Sequence, residues 1–154
     1  MLIFLEGPDG AGKTTLANQL QQQIPGLGYV HHGPYPGVQG QELAQIFAGS
    51  MKPALQGQSL VIDRCWISEP IYSSVFRKTA PRISPVHRRM LDRQALSVWG
   101  CVVLCLPSFE TCVKAFTSGR DEMLKDTTQL KAVYDRYELP LDTDLPVIHY
   151  DFTK

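Results

Sequence analysis

The chain has 154 residues, 44% of them apolar, and its fifteen acidic and fifteen basic side chains leave a formal net charge of zero. Such a length predicts a single domain, residues 1–154, with a real hydrophobic core. Overall charge is excluded as a basis for binding nucleic acid or membrane, so any such surface must be a local patch. Cys65, Cys101, Cys105 and Cys112 have no C-x-x-C spacing, which reads as buried free thiols of a reducing compartment rather than a zinc site. The apolar start is too short for a signal peptide, and no stretch approaches the length of a membrane span. The expectation is a soluble, cytoplasmic protein.

Residues Leu2 to Leu5 form a short apolar run that predicts a buried strand, followed by Glu6. Gly7-Pro8-Asp9-Gly10-Ala11-Gly12-Lys13-Thr14 then fills every fixed position of the phosphate-binding loop G-x-x-x-x-G-K-[ST]. The glycines let successive backbone N–H groups wrap a polyphosphate, and a helix beginning at Lys13 turns its positive end toward the same anion. Lys13 is placed to reach the β- and γ-phosphates and the Thr14 hydroxyl to hold Mg²⁺. Leu16 and Leu20 mark the inner face of that helix.

Ile24 to Gly28 is a stop signal, and Tyr29-Val30-His31 predicts a second strand. The loop from His32 to Gly37 is rigid and aromatic and follows a strand end, where open α/β sheets place ligands. Tyr35 is its candidate binding residue. Adjacent histidines on a strand point to opposite faces, so His31 and His32 suit loop-end hydrogen bonding better than a shared metal. A short helix is predicted over Gln41 to Phe47, with Leu43, Ile46 and Phe47 on one face. Ser59 to Arg64 reads as a strand ending in Asp63, the position of the acidic group in a metal and water network, or else a helix N-cap.

The spacing of Trp66, Ile67, Ile71, Tyr72, Val75 and Phe76 predicts a helix with Pro70 near its start. A basic, proline-punctuated loop from Arg77 to Pro85 leads into a helix to about Trp99, with Val86, Met90, Leu91, Ala95, Leu96 and Val98 available for the core. Arg77, Lys78, Arg82, Arg88, Arg89 and Arg93 make this the most basic part of the chain, suited either to a polyanion such as DNA or to a solvated helix face. Cys101 to Leu106 is an uninterrupted apolar strand, expected at the centre of a parallel sheet. A helix over Phe109 to Phe116 precedes small polar residues and Arg120, a candidate lid over about 117–126 that closes on phosphate. Thr127 to Leu139 is a further helix capped by Asp126 or Thr127, and Leu145 to Asp151 a fifth strand. Alternating strands and helices predict an α/β fold, a three-layer α/β/α sandwich with a five-stranded parallel sheet.

These residues resemble the thymidylate kinases, within the nucleoside monophosphate kinase group of P-loop phosphotransferases, and especially their compact phage-borne relatives. The resemblance runs through most of the chain. It is carried by Leu5 to Thr15, Pro36-Gly37, Pro53-Ala54-Leu55, Val61-Ile62-Asp63-Arg64, Ser68 with Tyr72, Leu104 to Pro107, and Arg120 to Tyr137. It implies ATP with Mg²⁺ as donor, held by Gly7, Gly10, Ala11, Gly12, Lys13, Thr14 and Thr15, with the metal on Thr14 and Asp63. It also implies that Asp9 faces the acceptor sugar and that Arg64 bridges acceptor and transferred phosphoryl. Ser68, Tyr72 and Arg77 then line the acceptor side, Arg120 is the lid arginine, and the helix over 85–99 supplies the face of a homodimer.

The departures bear on the acceptor. Gln39 to Lys52 contains no arginine, although the family carries one there to grip the base, and His31-His32-Gly33 stands where an arginine precedes the Pro-Gly loop. Two acceptors stay open: a free thymidine-type monophosphate, or the hydroxymethyl group of 5-hydroxymethyluracil in phage DNA, with Asp9 or Glu6 as base and the Arg77–Arg93 segment on the backbone. A nucleotide-binding module without transfer activity is the third reading.

Overall fold

The computed structural model describes residues 1–116 and 126–154. Five strands, β1 (Leu2–Glu6), β2 (Gly28–His31), β3 (Leu60–Asp63), β4 (Gly100–Cys105) and β5 (Val147–Tyr150), form one parallel sheet in the order β2-β3-β1-β4-β5. The central strand is therefore the one that feeds the phosphate loop, and the 101–106 run lies beside it. Register brings Leu5 and His31 level with Asp63, and Glu6 level with Leu104. The carboxyl ends of all five strands share one edge, with the reversal of strand order next to β1, the crevice where such sheets bind ligands.

Alternation along the strands builds the layers. Leu2, Phe4, Leu60, Ile62 and Val102 pack against α2 (Gly40–Ser50) and α5 (Pro85–Leu96) through Leu43, Phe47, Leu91 and Ala95. Leu5 and Val61 face the other way, onto Ala17 of α1 (Lys13–Gln23) and the half-buried Leu16 and Leu20. Leu104 and Cys105 meet α6 (Phe109–Phe116) and α7 (Thr127–Tyr137) through Cys112, Leu130, Val133 and Tyr137. The result is the expected α/β/α sandwich. Among the described residues no helix is long and apolar enough to cross a membrane.

Local chemistry sets the helix ends. Ser84 accepts from the His87 N–H with Pro85 in the first turn, and Asp126 accepts from the Gln129 N–H. Several predicted details change. The helix of 41–47 runs three residues further, to Ser50, and is followed by the short α3 (Lys52–Leu55). Over 66–76 the helix begins only at Ser68, as α4 (Ser68–Tyr72), and passes into a π-helical turn, Ser73–Arg77, that stops where Lys78 adopts φ 50. The helix expected to reach Trp99 ends at Leu96. Val86 and Met90, assigned to the core from their spacing, are 68% and 59% exposed, and Leu96 and Trp99 also face outward. Leu91 and Ala95 enter the core and Val98, just past the helix, packs against it half-buried, whereas the other apolar residues of α5 spread over a second face. Cys101 is half-buried, whereas Cys65, Cys105 and Cys112 are buried thiols.

Candidate active site

The phosphate loop leaves the carboxyl end of β1 and enters α1. Its glycines are sterically required at two points. Gly7, at φ 139, would place a Cβ 2.2 Å from the Cys105 carbonyl oxygen, and Gly10, at φ 77, would place one 2.4 Å from that of Cys112. The loop is thus pressed against β4 and α6, which fixes the direction of its N–H groups. Lys13 is buried, and its Nζ donates to the carbonyls of Gly7 at 3.0 Å and Pro8 at 2.8 Å. Burial, and then the charge of Arg64, hold its pKa below the usual lysine range, with Asp9 and Asp63 opposing.

Asp63, at the end of β3, is 1% exposed. Its Oδ2 accepts from the Tyr29 hydroxyl at 3.1 Å and lies 3.3 Å from His31 Nδ1, while its buried Oδ1 has no hydrogen-bond partner among the described residues. Burial works against its charge, but the His31 hydrogen bond and the Lys13 and Arg64 charges prevail and keep the carboxyl below its ordinary value. An ionised carboxylate with one free buried oxygen, in the same cavity as the exposed Thr14 hydroxyl, supplies oxygen donors that fit a divalent cation. Asp63 caps no helix.

Arg64 follows at φ 67, a left-handed conformation strained for a side chain with a Cβ. Its guanidinium pairs with Asp9 across the loop and stacks over the Tyr72 ring at 4.7 Å. The Tyr72 hydroxyl reaches the other Asp9 oxygen at 3.4 Å. Beneath this group lies Glu6, fully buried, which accepts from the Cys65 N–H at 2.9 Å, the shared proton of the Ser68 hydroxyl at 2.6 and 2.8 Å, and the Tyr137 hydroxyl at 2.7 Å.

A cavity of about 560 Å³ opens along the carboxyl edge, within the range of small-molecule sites. Asp9, Gly10, Ala11, Gly12, Lys13, Thr14 and Thr15 line it on the loop side; Tyr35, Asp63, Arg64, Ser68, Tyr72 and Arg77 line it across from them. Of the sequence candidates, Gly7 lies outside the lining, and Arg120 with most of the expected lid falls outside the described residues. His31, His32, Phe47, Glu69, Arg82 and Phe152 also line the cavity. None of these six was a candidate site residue, although Arg82 stands in the basic loop and the histidines at a strand end.

Arg82 and Glu69 organise the β2 side. Glu69 is buried and receives Arg82 through Nε at 3.0 Å and Nη2 at 2.9 Å, with Arg77 and Ser73 bonding the same carboxylate. Burial opposes its charge, yet these donors hold its pKa below the ordinary value. The same guanidinium donates to the carbonyls of Pro34, Tyr35 and Val38. The aromatic loop therefore does have an arginine holding it, one that arrives from some fifty residues downstream. His32 is 4% exposed. Its Nδ1 meets the Tyr35 hydroxyl at 2.7 Å and its Nε2 the Ser50 hydroxyl at 3.0 Å. On the opposite side Phe152, beyond β5, lies against Gly12.

The basic segment is largely engaged internally. Arg77 and Arg82 pair with Glu69, Arg88 with Asp142, and Arg89 with Asp142 and Asp144.

No family model matches the sequence, and no curated protein does. Solved structures do match the fold. The YorR protein from Bacillus subtilis, solved in complex with phosphorylated GDP, superposes with a TM-score of 0.77 at 18% identity over 100% of this chain and 87% of that one. The deoxyadenosine kinase from M. mycoides matches at 0.62 and 16% identity with bound dATP, covering 98% of this chain and 91% of that one. With dCMP and dCDP as products it matches at 0.57 and 18%, covering 98% and 90%. This chain has the fold of the P-loop nucleoside and nucleotide kinases.

Proposed function

We propose that the protein transfers the γ-phosphoryl group of ATP to a thymidine-type deoxynucleoside monophosphate. The observation that carries this reading is one cavity lined both by the phosphate loop, Asp9 included, and by Arg64, Tyr72 and the aromatic loop. An oxygen of the acceptor phosphate bonds to the γ-phosphorus as the bond from that phosphorus to the β,γ-bridging oxygen breaks, and ADP leaves. That acceptor is already an anion, so positioning and cationic cover matter more than a base. Lys13 exchanges its two loop carbonyls for phosphate oxygens. Arg64, held between Asp9 and Tyr72, spans acceptor and transferred group, and Asp9 meets the acceptor sugar, with Ser68 and Arg77 beside it. Thr14 and Asp63 would hold Mg²⁺, which when bound neutralises charge on the donor phosphates. Arg120 is the proposed lid arginine. The exposed Val86, Met90, Leu96 and Trp99 of the α5 region suit a homodimer face.

DNA carrying hydroxymethyluracil has less support as acceptor, because Arg77, Arg82, Arg88 and Arg89, four of the arginines that would meet its backbone, are already paired with carboxylates. Transfer of labelled phosphate from ATP to a panel of deoxynucleoside monophosphates, run beside hydroxymethyluracil duplex DNA, tests the assignment. A thymidylate lane is expected, falling at least about a hundredfold in Lys13→Ala. Full activity in that variant overturns the enzyme reading.

A further inference from the structure

The hydrogen bonds around His32 have only one consistent polarity. Ser50 Oγ lies 2.7 Å from the Phe47 carbonyl oxygen, which can only accept, so the one hydroxyl proton of Ser50 is committed there. Ser50 Oγ must then accept from His32, which places the imidazole proton on Nε2. Among the described residues no carboxylate is hydrogen-bonded to the His32 ring, and its burial disfavours a second proton. Nδ1 is therefore a bare lone pair, and the Tyr35 hydroxyl donates its only proton to it at 2.7 Å. What Tyr35 offers any further partner is oxygen lone pairs alone.

Tyr35 is held for this task at both ends. Its carbonyl accepts from Arg82 at 2.8 Å, and its backbone sits at φ 46, a conformation that is strained for tyrosine and persists only where surroundings enforce it. Tyr35, His32 and Phe47 line the cavity on the β2 side, across the sheet from Phe152 at the β5 side.

We propose that Ser50 and His32 are positioning residues that make the Tyr35 hydroxyl an obligate hydrogen-bond acceptor for the base of the acceptor nucleotide, selecting among pyrimidines those with a proton on N3. The proposal rests on the monophosphate reading above, and it names what that site recognises. Thymine and uracil present N3–H to such an oxygen. Cytosine presents a lone pair at the same ring position, and two acceptors facing each other in a partly dry pocket repel. A mismatch of that kind is comparable to leaving a buried polar group unsatisfied, a discrimination of about 100-fold.

The test compares dTMP, dUMP, dCMP and N3-methyl-dTMP as acceptors for the full chain, Tyr35→Phe and Ser50→Ala. The wild type is expected to prefer dTMP and dUMP over both others by about 100-fold in kcat/KM. Tyr35→Phe collapses that ratio by weakening dTMP. Ser50→Ala removes the acceptor that fixes the tautomer, so the imidazole proton can move to Nδ1 and the Tyr35 proton can turn into the cavity. That variant keeps its activity toward dTMP within about tenfold and gains dCMP, an effect that loss of packing would not produce. Equal use of dTMP and its N3-methyl analogue by the wild type overturns the proposal, as does an unchanged dTMP to dCMP ratio in Ser50→Ala. Calorimetric titration of dTMP and dCMP separates this from the kinase reading. Preferential dTMP binding without transfer upholds the relay and sinks the kinase assignment, whereas equal binding, or binding of neither, sinks the relay.

Discussion

His32 makes the stability of the fold depend on pH in a window that can be worked out in advance. The ring is buried between Tyr35, Ser50 and Phe47, and burial, followed by the charge of neighbouring His31, pushes its pKa from 6.5 down to about 4, with Asp63 opposing. The unfolded chain takes up a proton near pH 6.5 that the native ring refuses until about pH 4. The unfolded state binds more protons across that interval, so this contribution is complete above pH 6.5 and is lost as pH falls toward 4. Between pH 7.5 and pH 5 the loss comes to about 2 kcal/mol. Urea unfolding at 25 °C at those two pH values measures it, with the slope m checked for constancy. His32→Gln has no imidazole to titrate, and its stability should fall by about 2 kcal/mol less than that of the wild type over the same interval. An equal fall in both proteins would show that His32 does not carry the linkage.

Other perturbations address separate parts of the molecule. Tyr137→Phe removes one donor from buried Glu6 and should cost about 2 kcal/mol, or roughly 4–8 °C in Tm; a melting point within a degree of the wild type contradicts the role of that bond. Gly10→Ala drives a Cβ into the Cys112 carbonyl at a left-handed φ, and thermal melting should show more than about 2 kcal/mol of destabilisation together with weaker nucleotide binding. Replacing Arg88 and Arg89 together by alanine breaks pairs with Asp142 and Asp144 and should leave DNA affinity unchanged, with about 1 kcal/mol or less of stability lost. A drop in DNA affinity with a flatter salt dependence would restore DNA as the acceptor.

What could be read directly from the chain was contiguous. Gly7 to Thr14 declares itself because the spacing of a phosphate-wrapping loop is written in consecutive residues, and the strand before it and helix after it follow from local periodicity. The proposed acceptor side is assembled from afar. Arg82 is a generic basic residue until β2, α4 and its own loop meet, at which point it holds three carbonyls and Glu69. Ser50 carries no motif at all. Val86 and Met90 fail for a different reason: helical spacing identifies an apolar stripe but not which stripe finds a sheet beneath it. The Arg77–Arg93 charge density was visible, whereas its neutralisation depends on how the chain folds back: Glu69 reaches Arg77 and Arg82 from the preceding helix, and Asp142 and Asp144 reach Arg88 and Arg89 from more than fifty residues downstream.

Glu6 has a consequence for the order in which the protein is completed. Its partners lie 59, 62 and 131 positions further along the chain. During synthesis β1 emerges before every element it must pair with, carrying a carboxylate that has no donor until β3 is made and lacks the Tyr137 hydroxyl until α7 follows. The phosphate loop directly after it inherits that delay. The loop proposed to hold nucleotide is thus made before the elements that anchor the carboxylate beside it, and it reaches its final geometry only after α7 has been made.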